Sequence, residues 1–227
     1  MIFLIISLLG LLIKAYKPNV SVSYKCKTDG KTAEMKEVLL STSKKDVDGS
    51  SRNVFLFKIT FLKGLNKEMQ ILIDEKGFIE KLRVTDRDHK KIYEITKEEE
   101  TLLNIYNETG DILKEIPAQN KDSDGIFFPD LPASWHYLLK ELDILKTEKF
   151  KLRMHIPLYT DDAGAGSIDN AAAAQTTGFN VVNVSGKIKS RGEEGNVISI
   201  SPFKIEVTID KEYNVTRLTR GGYEITL

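Results

Sequence analysis

The chain has 227 residues, 33 Lys and Arg against 33 Asp and Glu, and an apolar share of 41%. That share is enough for a real core and argues against disorder. The balanced charge gives no net field to attract nucleic acid or an anionic membrane.

The N-terminus opens on an apolar run from Ile2 to Ile13, ended by Lys14. Its length suits the apolar region of a secretory signal and is short of the roughly 20 residues that a spanning helix needs. Residues 1–15 are expected to be a signal peptide or a short membrane anchor, with a buried first strand or helix as the remaining alternative. The expected location is therefore periplasmic or at the cell surface, with membrane touched only through this segment. Cys26 is alone, so no disulfide framework exists, and no neighbour in sequence offers an activating base.

Residues 16–116 read as an N-terminal β-rich half. VSVSYKCK and KTAEMKEVLL alternate on either side of Thr28-Asp29-Gly30-Lys31, a turn signal. NVFLFKITFL follows a second turn cluster, and then come ILIDEKGFIEKL and KKIYEI. LLNIYNETGDILKEI reads as another hairpin, turning at Asn107 to Gly110, although Thr96 and Glu99 also form a capping-box signature for a competing helix. ILIDEKGFIEKL has a near copy in VTIDKEYNVTRL at Val207–Leu218: Ile-Asp, an aliphatic six residues after the Ile, then a base and Leu.

Residues 117–145 are expected to form a loop and one helix. Pro132 suits a first helical turn, and Trp135, Leu138, Leu139 and Leu142 fall on one apolar stripe. Residues 146–227 read as a C-terminal β-rich half. A strand is expected from Phe150 to Ile156, a mobile low-complexity loop at 161–178, and an edge or bulge at Pro202. The fold class is mainly β: an antiparallel meander forming one large curved sheet or two β-rich halves, with one amphipathic helix packed on it.

Catalytic constellations are scarce. His89, His136 and His155 are scattered, and neither HExxH nor C-x-x-C nor a Gly-x-Ser-x-Gly elbow is present. AGAGS at 163–167 lacks the Lys-Ser/Thr ending of a phosphate loop. Asn120 to Gly125 resembles the first half of a calcium loop but carries Leu131 where the bidentate Glu belongs. No catalytic residue, metal site or cofactor is therefore assigned. Sequons begin at Asn19, Asn107, Asn183 and Asn214. Phe127, Phe128, Trp135, Tyr137 and Tyr159 gather around the helix; they read as core packing or as the lining of a groove between helix and sheet.

LPASWHYLLKELDILKTEKFKLRMHI and ISPFKIEVTIDKEYNVTRLTRGGYEITL together resemble an uncharacterised family of exported bacterial curved-sheet proteins. The points of resemblance are Ser134, Tyr137 and Leu138, the strand Phe150 to Ile156, Ile209-Asp210, Arg217-Leu218 and Gly221-Gly222. The outline is similar to the lipoprotein carriers LolA and LolB, and residues 161–178 have no counterpart in it. The resemblance implies a half-barrel whose concavity holds a lipid or other hydrophobic ligand, bound by the five aromatics, in a non-enzymatic envelope protein. Two other classes stay open: a surface interaction or adhesion module that binds another envelope protein, and a polysaccharide-active enzyme using carboxylates such as Asp74 and Asp210.

Overall fold

The computed structural model describes residues 17–28, 31–45, 51–62, 67–86, 91–97, 101–106, 109–117, 123–159, 176–193 and 195–227. The apolar head read as signal or anchor, and His89, lie outside the described residues.

The strands are Ser21–Thr28 (β1), Lys31–Lys45 (β2), Ser51–Leu62 (β3), Lys67–Asp74 (β4), Ile79–Asp86 (β5), Lys91–Lys97 (β6), Thr101–Tyr106 (β7), Ile112–Pro117 (β8) and Gly125–Ile126 (β9). Two helices follow, Pro132–Glu141 (α1) and Ile144–Thr147 (α2). The chain ends with Lys149–Tyr159 (β10), Thr176–Gly192 (β11), Gly195–Ser201 (β12), Ile205–Ile209 (β13), Val215–Arg220 (β14) and Tyr223–Thr226 (β15). Mainly β character with a helix against the sheet agrees with the reading above. Among the described residues the competing helix after Thr96 does not form: β6, β7 and β8 make a meander there.

Alternation explains the strands. In β1, Val22, Tyr24 and Cys26 are buried while Ser21, Ser23, Lys25 and Lys27 are exposed, so one face meets the core and the other water. The same holds for Ile205, Val207 and Ile209 in β13. All of these inward residues belong to one hydrophobic cluster.

The sheet is more closed than an open curve. Pairing runs β4–β3–β2–β1–β15–β14–β13–β12–β11–β10–β9–β5, and β5 pairs again with β4, which closes a ring of twelve strands among the described residues. β6, β7 and β8 branch from β5. Closure joins the two expected halves into one sheet, because β1 pairs with β15 and β9 bridges β10 to β5. No strong sequence signal marks β9, which has two residues. Its ladders are correspondingly short: Met154↔Gly125 and His155↔Ile126 on one side, Ile79↔Ile126 on the other.

Strand direction makes this seam unusual. Counted the long way round through antiparallel pairings, β5 and β10 point the same way. Yet β9 is parallel to β10 and antiparallel to β5. A single strand cannot form long, regular ladders of those two kinds with neighbours that share a direction, so β9 can bridge them only briefly.

Two expectations change. The stretch read as loop over 161–178 becomes β11 from Thr176 onward, while 160–175 lie outside the described residues. Pro202 is neither on an edge nor at a bulge: β12 ends at Ser201, and residues 202–204 form the turn into β13.

Candidate functional site: the helix inside the ring

The helix does not lie on the sheet by a single stripe. Every residue from Pro132 to Leu139 is buried, including Ser134 and His136 between the apolar positions, and exposure begins at Lys140. A helix buried on all sides is enclosed by its surroundings. Pro132 starts it without a side-chain cap, as its missing N–H allows.

The repeated hairpins hold this helix. In the β4–β5 turn, one carboxylate oxygen of Asp74 accepts the backbone N–H groups of Lys76 at 3.0 Å and Phe78 at 2.8 Å. In the β13–β14 turn, Asp210 accepts those of Glu212 at 2.8 Å and Asn214 at 2.9 Å, and also the Asn214 side-chain amide at 2.8 Å. Both turns carry a bulge at the same place, leaving Glu80 and Thr216 out of register. The repeated base has a cross-strand role: Lys81 meets Glu94 at 2.7 Å and Arg217 meets Glu224 at 2.6 Å, each on the following strand. Asp74 and Asp210, considered above as paired carboxylates, each anchor their own turn.

The fourth turn position differs. Gly77, at φ +86°, lies so close to the helix that a Cβ there would sit 2.7 Å from Leu138 N and from Ser134 O. Tyr213 takes a similar φ of +65° with a full side chain. Its backbone carbonyl accepts from His136 Nδ1 at 2.8 Å, which makes Nδ1 the protonated nitrogen of a neutral ring. Burial pushes the His136 pKa down to about 4, against the pull of that hydrogen bond. The Tyr213 hydroxyl donates to Asp143, and burial together with that bond pushes its pKa up to about 12.

The aromatic wall has two parts. Phe127, Phe128 and Trp135 are fully buried. Trp135 Nε1 donates to Pro129 O at 2.6 Å, and the Phe127 ring meets the indole edge-on at 4.7 Å. These three are packed core in this arrangement. Tyr137 differs: it stacks on Phe55 at 3.9 Å, has Phe57 edge-on at 6.0 Å and His136 perpendicular at 4.8 Å. Burial raises the Tyr137 phenol well above its ordinary range, and the buried Glu37 raises it further. Tyr159 is the last residue of β10, where its backbone pairs with Thr176; its side chain lies outside the described residues.

Polar groups also reach the interior. Arg220 shares a face of β14 with the fully buried Leu218 and stands 3.4 Å from both carboxylate oxygens of the buried Asp130. Its guanidinium also lies 5.9 Å from the Phe203 ring centre. Burial raises the Asp130 carboxyl, and Arg220 only partly opposes it. Ser134 Oγ is fully buried with no hydrogen-bond partner among the described residues.

Phe55, Phe57, Glu37, Asp130 and Arg220 were not singled out from the sequence. Parity carried a signal for two of them: Glu37 falls between Met35 and Leu39, and Arg220 two residues beyond Leu218, both at inward positions.

Other candidates resolve as scaffolding. Asp124 spends a carboxylate oxygen on Arg153 N at 2.7 Å, and His155 Nδ1 shares a 2.7 Å hydrogen bond with Ser123 Oγ. No group of His, Cys, Asp or Glu able to hold a metal occurs among the described residues. Cys26 is buried. Asn214 is buried and bonded to Asp210, which leaves its sequon inaccessible in the folded chain.

What this geometry defines is a β-ring enclosing a helix, with an aromatic wall and a few inward polar groups. Comparison with protein-family models, with curated proteins and with solved structures finds no match for the chain.

Proposed function

We propose that this chain is a non-enzymatic, exported envelope protein that holds a lipid or other hydrophobic molecule within the ring, beside the enclosed helix. The observation that carries the reading is the inward face. Around the ring most inward positions are apolar and buried, with exceptions such as Glu37 and Arg220, and the strands close around a helix instead of packing on a second sheet. Enclosed apolar surface with few oriented polar groups is the usual make-up of a hydrophobic-ligand site. The Phe55–Tyr137–Phe57 cluster supplies the wall, because Phe55 and Tyr137 keep some exposure where Trp135 keeps none. Arg220 and Ser134 would orient a polar end. Export rests on the apolar run Ile2 to Ile13.

Trp135 is the chain's one tryptophan and gives a direct probe. Native mass spectrometry of protein purified without detergent from two hosts should show co-purified lipid. Titration of stripped protein with a long-chain fatty acid should shift Trp135 emission saturably, and Tyr137→Ala should weaken that response. Bare protein from both hosts together with unchanged emission would overturn the proposal.

A further inference from the structure

The outer surface of the ring is laced with paired charges. Lys36 meets Glu34, Lys58 meets Glu68, Lys81 and Arg83 share Glu94, Lys189 meets Glu206, Arg191 meets Glu148, and Arg217 meets Glu224. Lys25 and Lys27 on β1 make no ion pair among the described residues but stand across from Glu34 and Glu224, whereas one region of the outer face of β10 and β11 lacks even that. Lys149, Lys151 and Arg153 point outward at alternate positions of β10, and Lys187 points outward beside them on β11. All four are exposed and none makes a side-chain ion pair among the described residues, although the Asp124 carboxylate accepts the backbone N–H of Arg153. Lys149 stands directly across from Lys187, a like-charge pairing that works against the ladder. The remaining cross-strand partners are Asn183 and Ser185, opposite Arg153 and Lys151.

We infer that this outer face of β10 and β11 docks on an anionic bilayer surface. The chain as a whole is neutral, so four unpaired cations on two adjacent strands form a local field that the net charge conceals. The nearest aromatics on this face, His155 and Phe179, are buried and half-buried and meet each other edge-on at 6.1 Å, so no exposed stacking platform of the kind that single-stranded nucleic acid uses lies among the four cations. Three of the four are lysines, flexible point charges suited to a diffuse plane of phosphates. The inference stands on the outer face alone and does not depend on what the ring encloses.

Sedimentation of the full chain with vesicles tests it. The probes are phosphatidylcholine alone and phosphatidylcholine with about one-third phosphatidylglycerol, at low and at raised salt. Binding to neutral vesicles, which the apolar head alone could cause, sets the baseline. Above it, anionic vesicles should bind the chain, and salt should weaken that binding. Lys151→Glu with Lys187→Glu should weaken it at least about tenfold, while Lys36→Glu with Lys58→Glu, the same change in net charge, should have only a small effect. Circular dichroism melting identifies any variant that fails to fold; if the first pair does, Lys151→Gln with Lys187→Gln takes its place. The inference fails if the chain does not prefer anionic vesicles at low salt, or if both charge-reversal pairs lose equally. It fails too if duplex DNA or an acidic polypeptide binds this face more tightly than the vesicles do.

Discussion

The β4–β5 and β13–β14 turns are built alike and hold the helix by opposite means. Each has an Asp that collects backbone N–H groups, a left-handed residue three positions later, a bulge, and a base that meets a Glu on the next strand. At the left-handed position Gly77 removes a side chain so that the helix backbone can approach, whereas Tyr213 adds one that reaches Asp143. The same backbone thus serves as a socket on one side of the helix and as a clamp on the other. The β7–β8 hairpin is a third version, with Gly110 at φ +89° and nothing within 4 Å of its would-be Cβ.

Substituting the glycines separates backbone strain from packing, and it should give the largest effect. Gly77→Ala forces a Cβ against backbone atoms and should cost about 3 kcal/mol or more, whereas Gly110→Ala should cost only the ~1–2 kcal/mol of a left-handed alanine. Urea denaturation of the two variants measures the difference. Equal losses would mean that the helix does not press on the first turn.

The carboxylates come next. Asp210 accepts the N–H groups of Glu212 and Asn214 and the Asn214 side-chain amide, and Asp74 accepts those of Lys76 and Phe78, so Asp210→Ala and Asp74→Ala should each lose about 2–3 kcal/mol. A loss below about 1 kcal/mol at either position, read by urea denaturation, would mean that its turn does not depend on the anchor.

Acid should act on the clamp. The His136 pKa is near 4 in the fold against an ordinary 6.5, so the unfolded chain binds the proton first. Stability is then full above pH about 6.5 and falls as pH drops toward 4, by up to about 3 kcal/mol. His136→Asn keeps an N–H donor near the carbonyl and should flatten this slope; an unchanged slope would place the acid sensitivity elsewhere.

The smallest effect belongs to the Tyr213 hydroxyl. With its pKa raised to about 12, it holds its proton better in the fold, so its contribution is present below pH 10 and lost as pH rises toward 12. Tyr213→Phe should remove that alkaline dependence while changing neutral stability little, as read by melting temperature against pH.

The hairpins were legible in the sequence because their chemistry is local: Asp, a left-handed position and a bulge are fixed within a few residues. The helix start was legible for the same reason, through Pro132. Its enclosure was not. Trp135, Leu138 and Leu139 suggested one buried stripe, and burial of His136 depends on Tyr213, which is distant in sequence. Closure of the ring was hidden because β9 has no periodicity to detect. Among the site residues, Tyr137 was visible as an aromatic beside the helix, but its partners Phe55 and Glu37 come from strands whose meeting with it only the topology decides.

The seam at β9 has a mechanical meaning. Elsewhere in the ring, neighbouring strands share runs of several paired residues, so a crack between them must break many hydrogen bonds together. At β9 it meets two paired positions on one side and one on the other. Phe78 lies over Gly125 there, so closely that a Cβ on the glycine would sit 2.5 Å from the ring. The ring therefore has a built-in fracture line, pinned by a residue of the β4–β5 turn. Under load, or during a thermal fluctuation, the cylinder would unroll from that line first, and the amides of Ile126 and Phe127 would exchange with solvent before those of the long ladders.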